Sequence, residues 1–148
     1  MSDLVVVDTG VLQKANAPLA NDAREISKFA SRLRLLGRIR NGEFRVLISR
    51  KLMVEYRAQV REPRNDFVRS FFAVVDNPQT AVPNWCRWSG SIRSHAKKCR
   101  FPQEDYHVLR TAKCDLPSTI LCEEHRMLVT DACIHRRLNV HVVDPTAR

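Results

Sequence analysis

Apolar residues fall along this chain in two patterns: short unbroken runs, and longer stretches in which they recur every three or four positions. The first run, LVVV at residues 4–7, is β-branched and has no polar break, as expected of a central parallel strand covered on both faces. It ends on Asp8; Thr9 and Gly10 turn the chain, and Val11 and Leu12 open a short helix. From Asn21 to Arg40 the residues Ile26, Phe29, Ala30, Leu33, Leu36 and Ile39 stand at helical spacing. Asp22 with Glu25 resembles a capping box, and Gly42 lies just past the helix end. The arginines of this segment, Arg32, Arg34, Arg38 and Arg40, read as a solvated face.

FRVLI at 44–48 is the second predicted strand. Ser49 caps a helix running to about Arg61, where Pro63 stops it, and DFVRSFFAVVD at 66–76 predicts a further helix. Residues 77–103, with Pro78, Pro83 and Pro102, form the least regular part. DYHVLRTA, starting at Asp105, returns to helical spacing. A second short helix is expected around Ser118 to Glu124, then a strand, MLVT at 127–130, ending on Asp131. VHVV at 140–143 is the last strand and stops at Asp144 and Pro145. Strands alternating with helices predict an α/β fold with a mainly parallel sheet.

A length of 148 residues suits one domain with a sizeable core, and 44% hydrophobic with 28% charged residues is the profile of a folded chain. Twenty-five Lys and Arg against 16 Asp and Glu leave a net charge of +9 and a pI near 9.9. Such an excess suits a polyanionic partner, of which nucleic acid is the commonest. No apolar run approaches a membrane span and the first residues do not resemble a signal peptide, so the expectation is a cytoplasmic protein with no membrane partner. Five cysteines, Cys86, Cys99, Cys114, Cys122 and Cys133, stand at irregular spacing and read as reduced thiols. Cys122, His125, Cys133 and His135 are four ligand types close in sequence, but without the spacing of a structural zinc site.

Between Asn84 and Arg100 lie Arg87, Arg93, Lys97, Lys98 and Arg100 with no acid, interleaved with Trp85 and Trp88. Cations bind phosphate and aromatic faces stack on unpaired bases, so this stretch is a candidate RNA-contacting element. Equally, it could be a surface insertion whose tryptophans tuck into the core.

In parallel sheets, ligands bind beyond the carboxyl ends of the strands. The strand assignments put Asp8 and Asp131 there, and Glu55 and Asp105, near the starts of helices leaving the same edge, can point into the same space. Each acid alone could simply cap a helix. Together they would repel one another unless a cation lay between them, and oxygen-only ligands favour Mg²⁺ or Mn²⁺ over zinc. A divalent ion beside a basic surface is the arrangement that phosphodiester hydrolysis needs.

These residues resemble the PIN-domain ribonucleases over nearly the whole chain. The likeness rests on Asp8-Thr9 after the first strand, Glu55-Tyr56 in LMVEYRAQV, the D-x-x-V-L-x-x-A of Asp105 to Ala112, the V-T-D of Val129 to Asp131, and a closing strand before Pro145. It implies a three-layer α/β/α domain spanning residues 1–148, with a basic Trp-containing insertion at about 77–103. It also implies a Mg²⁺- or Mn²⁺-dependent endonuclease cutting single-stranded or structured RNA. Asp8, Glu55, Asp105 and Asp131 would be the catalytic metal ligands, with Thr9 and Thr130 in support. Many relatives are toxins held by an antitoxin, and many are homodimers. The family places its last acid two positions after the threonine; here Asp131 follows Thr130 directly and Ala132 stands at the expected site. Glu104, beside Asp105, is a candidate to compensate. A PIN-like module that binds RNA or a protein partner without efficient hydrolysis is the alternative.

Overall fold

The computed structural model describes residues 3–18, 21–113 and 117–147. Five strands, all parallel, form one sheet: β1 (Leu4–Val7), β2 (Arg45–Ile48), β3 (Ala81–Pro83), β4 (Ser118–Leu121) and β5 (Val140–Val143), in the order β3-β2-β1-β4-β5. β1 has strand neighbours on both sides and helices over both faces, which is why Val5, Val6 and Val7 can be consecutive and fully buried. Helices α1 (Thr9–Ala15) and α2 (Ala23–Arg40) link β1 to β2; α3 (Arg50–Gln59) and α4 (Asp66–Asp76) link β2 to β3. α5 (Gly90–Lys98), a 3-10 turn (Gln103–Asp105) and α6 (Tyr106–Ala112) lead to β4, then α7 (His125–Leu128) and α8 (Asp131–Leu138) lead to β5. The result is the expected three-layer α/β/α architecture, with a sheet that is wholly parallel.

Local signals set many of these boundaries. Asp22 accepts the Arg24 N–H at 2.7 Å, Ser49 that of Leu52 at 3.3 Å, Asn65 that of Val68 at 3.0 Å and Ser89 that of Ile92 at 3.2 Å, each closing the first turn of its helix. Glu25, expected to complete a capping box, instead reaches 3.7 Å from Arg32 and 3.9 Å from Lys28.

Four expectations need correction. STIL at 118–121 is not helical: it is β4, buried along its length and paired with β1 on one side and β5 on the other. MLVT is not a strand. His125–Leu128 is one helical turn; Met127 is buried, Val129 is exposed, and Thr130 donates its hydroxyl hydrogen bond to the Met127 carbonyl at 2.6 Å. The stretch 77–103 carries the edge strand of the sheet, where Pro83 is tolerated because no further strand needs its missing N–H, and the nine-residue helix α5. Arg32 is not on a solvated face: it is buried, and its Nε and Nη2 lie 2.8 and 2.7 Å from the two carboxylate oxygens of Glu123.

The thiols differ too. α5 packs on α8, and Cys99, at the end of α5, forms a disulfide with Cys133 on α8, with Cα atoms 5.5 Å apart. Among the described residues Cys86 and Cys122 are free thiols; Cys114 lies outside them. No described helix is long and apolar enough to cross a membrane.

Candidate active site

Asp8 follows the last residue of β1, and its N–H bonds the carbonyl of Leu121, the last residue of β4, at 2.9 Å. The carboxyl ends of the two central strands therefore lie side by side, with Asp8 above one and Cys122-Glu123-Glu124 leaving the other. Asp8 does not cap α1 through its side chain, and Asp105 does not cap α6. The capping explanation available from the sequence thus fails for both.

Glu55 reaches the same edge from α3. The neighbouring Tyr56 is fully buried and donates its phenolic hydrogen bond to the carbonyl of Val7, which pins α3 against the end of β1. Burial and the Asp8 and Glu55 charges keep that phenol protonated, so it remains a donor. Thr9 donates its hydroxyl to Glu55 Oε1, while His107 Nε2, on α6, lies 2.9 Å from Glu55 Oε2 at ion-pair distance, without the alignment of a linear hydrogen bond. Behind them, Ser49 Oγ and Thr111 Oγ1 are 2.7 Å apart and tie the start of α3 to α6.

The electrostatics identify which acids share this space. Burial, then the charges of Asp105 and Glu55, and more weakly Glu124, push the Asp8 carboxyl up to about 6; the nearby Gly10 N–H offsets this only in part. Burial, then Glu124, Glu104 and Glu55, push Asp105 up to about 6 as well, against the opposing effect of His107. Glu55 moves the other way: its contact with His107, helped by Thr9, outweighs its desolvation and holds it below the usual carboxylate range. Asp105 Oδ2 is buried without a hydrogen-bond partner. Cys122, free and buried beside Asp8, is kept a neutral thiol by burial first and by that charge second.

Asp8, Glu55 and Asp105 thus lie near enough for Asp105 and Glu55 to act on Asp8 and for Glu55 to act on Asp105, and Thr9 donates to Glu55. Asp131 is not among the acids that act on Asp8 or Asp105. It is the first residue of α8, and its Oδ1 accepts the Val142 N–H at 2.8 Å and lies 3.4 Å from His141 Nδ1, so it fastens α8 to β5. Thr130 is buried and turned to its own backbone. A further acid whose charge acts on both Asp8 and Asp105 is Glu124, which the sequence pattern did not single out; with STIL as a strand, the acids directly after it stand out as Asp8 does. Glu123 cannot serve, because Arg32 occupies both of its oxygens. Glu104 lies on the rim, where Arg126 bridges it to Glu124.

Asp8, Asp105, Glu55 and Glu124 offer oxygen donors only, including one orphaned buried oxygen, which suits a hard divalent cation. Among the described residues no three His, Cys, Asp or Glu side chains already surround one point at ligating distance. Glu55 and Glu124 act on both Asp8 and Asp105, and Asp105 on Asp8, through their fields rather than as a formed ligand shell. The zinc arrangement is lost: Cys133 is in the disulfide, and the His135 ring stacks on His141 at 3.7 Å.

Of the basic segment, Arg87, Arg93, Lys97, Lys98 and Arg100 are all exposed. Arg93, Lys97 and Arg100 line a cavity of about 510 Å³ with Phe101, Gln103 and Tyr106, the last of these the first residue of α6. The two tryptophans divide between the two readings: Trp88 packs on Tyr106 with ring centroids 5.0 Å apart, whereas Trp85 is 46% exposed. Comparison of the chain with protein-family models, with curated proteins and with solved structures gave no match.

Proposed function

We propose that this chain is a Mg²⁺- or Mn²⁺-dependent endoribonuclease of PIN-like type, acting through Asp8, Glu55, Asp105 and Glu124. The observation that carries the reading is that Asp8 and Asp105 are each raised to about 6, by burial first and then by neighbouring acids, Asp105 and Glu55 on Asp8 and Glu124, Glu104 and Glu55 on Asp105, in a protein of net charge +9. Keeping several acids at close quarters costs stability, and metal-dependent chemistry is the reason for such an arrangement that also explains the basic surround.

A divalent ion held by these carboxylates would supply a water activated at neutral pH and compensate charge on the phosphate. Thr9 and His107 fix the rotamer of Glu55, Tyr56 fixes the helix that carries it, and Arg126 restrains Glu124. Arg93, Lys97 and Arg100, which share a cavity with Gln103 and Tyr106 on either side of Asp105 in sequence, would hold flanking phosphates of the bound strand. A toxin-type role with a protein antitoxin, and a homodimer, remain parts of this proposal through the family resemblance alone.

One observation favours the second reading, a module that binds RNA without efficient hydrolysis: both oxygens of Glu55 are already engaged by Thr9 and His107. Cleavage of a mixed pool of labelled RNAs by wild-type protein and by Asp8→Asn, with Mn²⁺, Mg²⁺ or EDTA, decides between them. Metal-dependent cutting that disappears in the variant while RNA binding persists is the expected result. Binding without cutting under any metal supports the second reading instead.

A further inference from the structure

Beyond the carboxyl ends of β2 and β3, Trp85, Val54, Arg50 and Lys51 line a shallow cavity of about 600 Å³ that contains no acid. Val54 is 62% exposed and Trp85 46%, both unusual for large apolar residues in a chain this basic. The Trp85 ring is backed by the Arg110 guanidinium, 3.9 Å from the ring centroid. Arg110 is itself held by its Nε–H bond to the Cys86 carbonyl at 3.1 Å, and Asn84 ties the segment down through its N–H to Ile48 and its side-chain amide to the Thr111 carbonyl.

We infer that this face is a stacking site for an unpaired base of a single-stranded nucleic acid, with the phosphates on either side of that base held by Arg50 and Lys51. The inference rests on the nucleolytic reading above and specifies its substrate: a strand unpaired next to the point of cleavage. Three observations favour a base over an acidic peptide. The ring is a flat platform clamped from behind rather than a mobile side chain, so stacking on its free face orders little. The rim carries cations without a balancing acid, which suits phosphate. Lys51 stands one helical turn before Glu55, and its charge acts on that carboxylate, so a phosphate at Lys51 leads the strand straight to the acids. Trp88, packed against Tyr106, has no comparable part.

The test is binding, in EDTA so that nothing is cut, of a fluorescein-labelled single-stranded oligoribonucleotide and of the same strand annealed to its complement. Trp85→Ala is expected to weaken binding of the single strand about fivefold or more while leaving duplex binding, held through phosphates, unchanged. Trp85→Phe keeps a ring and should retain most of the affinity. In a Trp88→Phe protein, where Trp85 is the sole tryptophan, its emission should be quenched on saturation with the single strand. Single-strand affinity within twofold of wild type in Trp85→Ala, with Trp85 emission unmoved, overturns the inference and turns attention to a protein partner for this face. If that variant binds normally while the wild type cuts RNA, the stacking site alone fails; if the wild type binds no oligonucleotide at all, the nucleolytic reading fails with it.

Discussion

His107 Nε2 stands 2.9 Å from Glu55 Oε2, a contact that joins α6 to α3 and holds the Glu55 carboxyl below its ordinary range. A carboxyl lowered in this way adds stability above the usual carboxylate pKa and loses it as pH falls through the folded value. His107→Leu should therefore raise the Glu55 pKa and move the acid limb of the pH–rate profile upward. Cleavage at pH 6 is expected to fall about 10- to 100-fold, with partial recovery as pH rises. An equal loss at every pH would mean that His107 only supports the fold.

Asp8 and Asp105 carry the opposite sign. Their folded pKa values, about 6, lie above the ordinary 3.8, so the folded state holds their protons more tightly. Their contribution is most favourable below about pH 4 and is lost as pH rises through 6. Without metal, Asp8→Asn should thus be more stable than wild type at pH 7.5, on the order of 2 kcal/mol after allowance for solvent screening, and the gain should vanish by pH 4. Mn²⁺ should raise the melting temperature of the wild type above pH 6 and leave the variant nearly unmoved. Thermal melts at three pH values, with and without metal, check both statements.

In the proposed site Glu124 stands where Asp131 was expected, and substitution can separate the two. Glu124→Gln removes a charge that acts on Asp8 and Asp105, and cleavage should fall at least about tenfold with the fold intact. Asp131→Ala removes the acceptor of the Val142 N–H, which costs about 1–3 kcal/mol in urea unfolding, and should leave turnover of the folded protein near wild type. A loss of turnover in Asp131→Ala larger than in Glu124→Gln would reverse the assignment.

The Cys99–Cys133 bond should be measurable as stability. Removing it, by dithiothreitol or by Cys133→Ser, is expected to cost about 2–4 kcal/mol for a pair separated by 34 residues. Urea midpoints with and without reductant test this; the serine variant should show no response to reductant. An unchanged midpoint in the wild type would indicate that the two thiols are not joined in solution.

Much of the scaffold was legible because its signals are local. The β-branched run of β1, the helical spacing of α2 and α4, and the caps Asp22 and Ser49 lie within a few residues of the structure they specify. Asp8, Glu55 and Asp105 were legible as neighbours for a related reason: Asp8 follows a strand, Glu55 lies within the helix after β2 and Asp105 just before α6, and a parallel sheet brings such connections to one edge.

The misreadings arose where local pattern allows two answers. STIL and MLVT are both four-residue runs that mix apolar residues with hydroxyl-bearing ones, and period cannot assign runs that short. STIL has β1 and β5 to pair with, and MLVT does not, so β4 formed from the first and its end delivered Glu124 rather than Asp131. The same holds for Arg32, buried against a glutamate 91 residues away, for Cys99 and Cys133, joined because α5 lies on α8, and for Trp85, left exposed while Trp88 found Tyr106. Propensity and caps act within a turn or two of chain and can be read from it. Pairing, charge burial and cross-linking depend on which distant segment arrives alongside, and only the folded chain decides that.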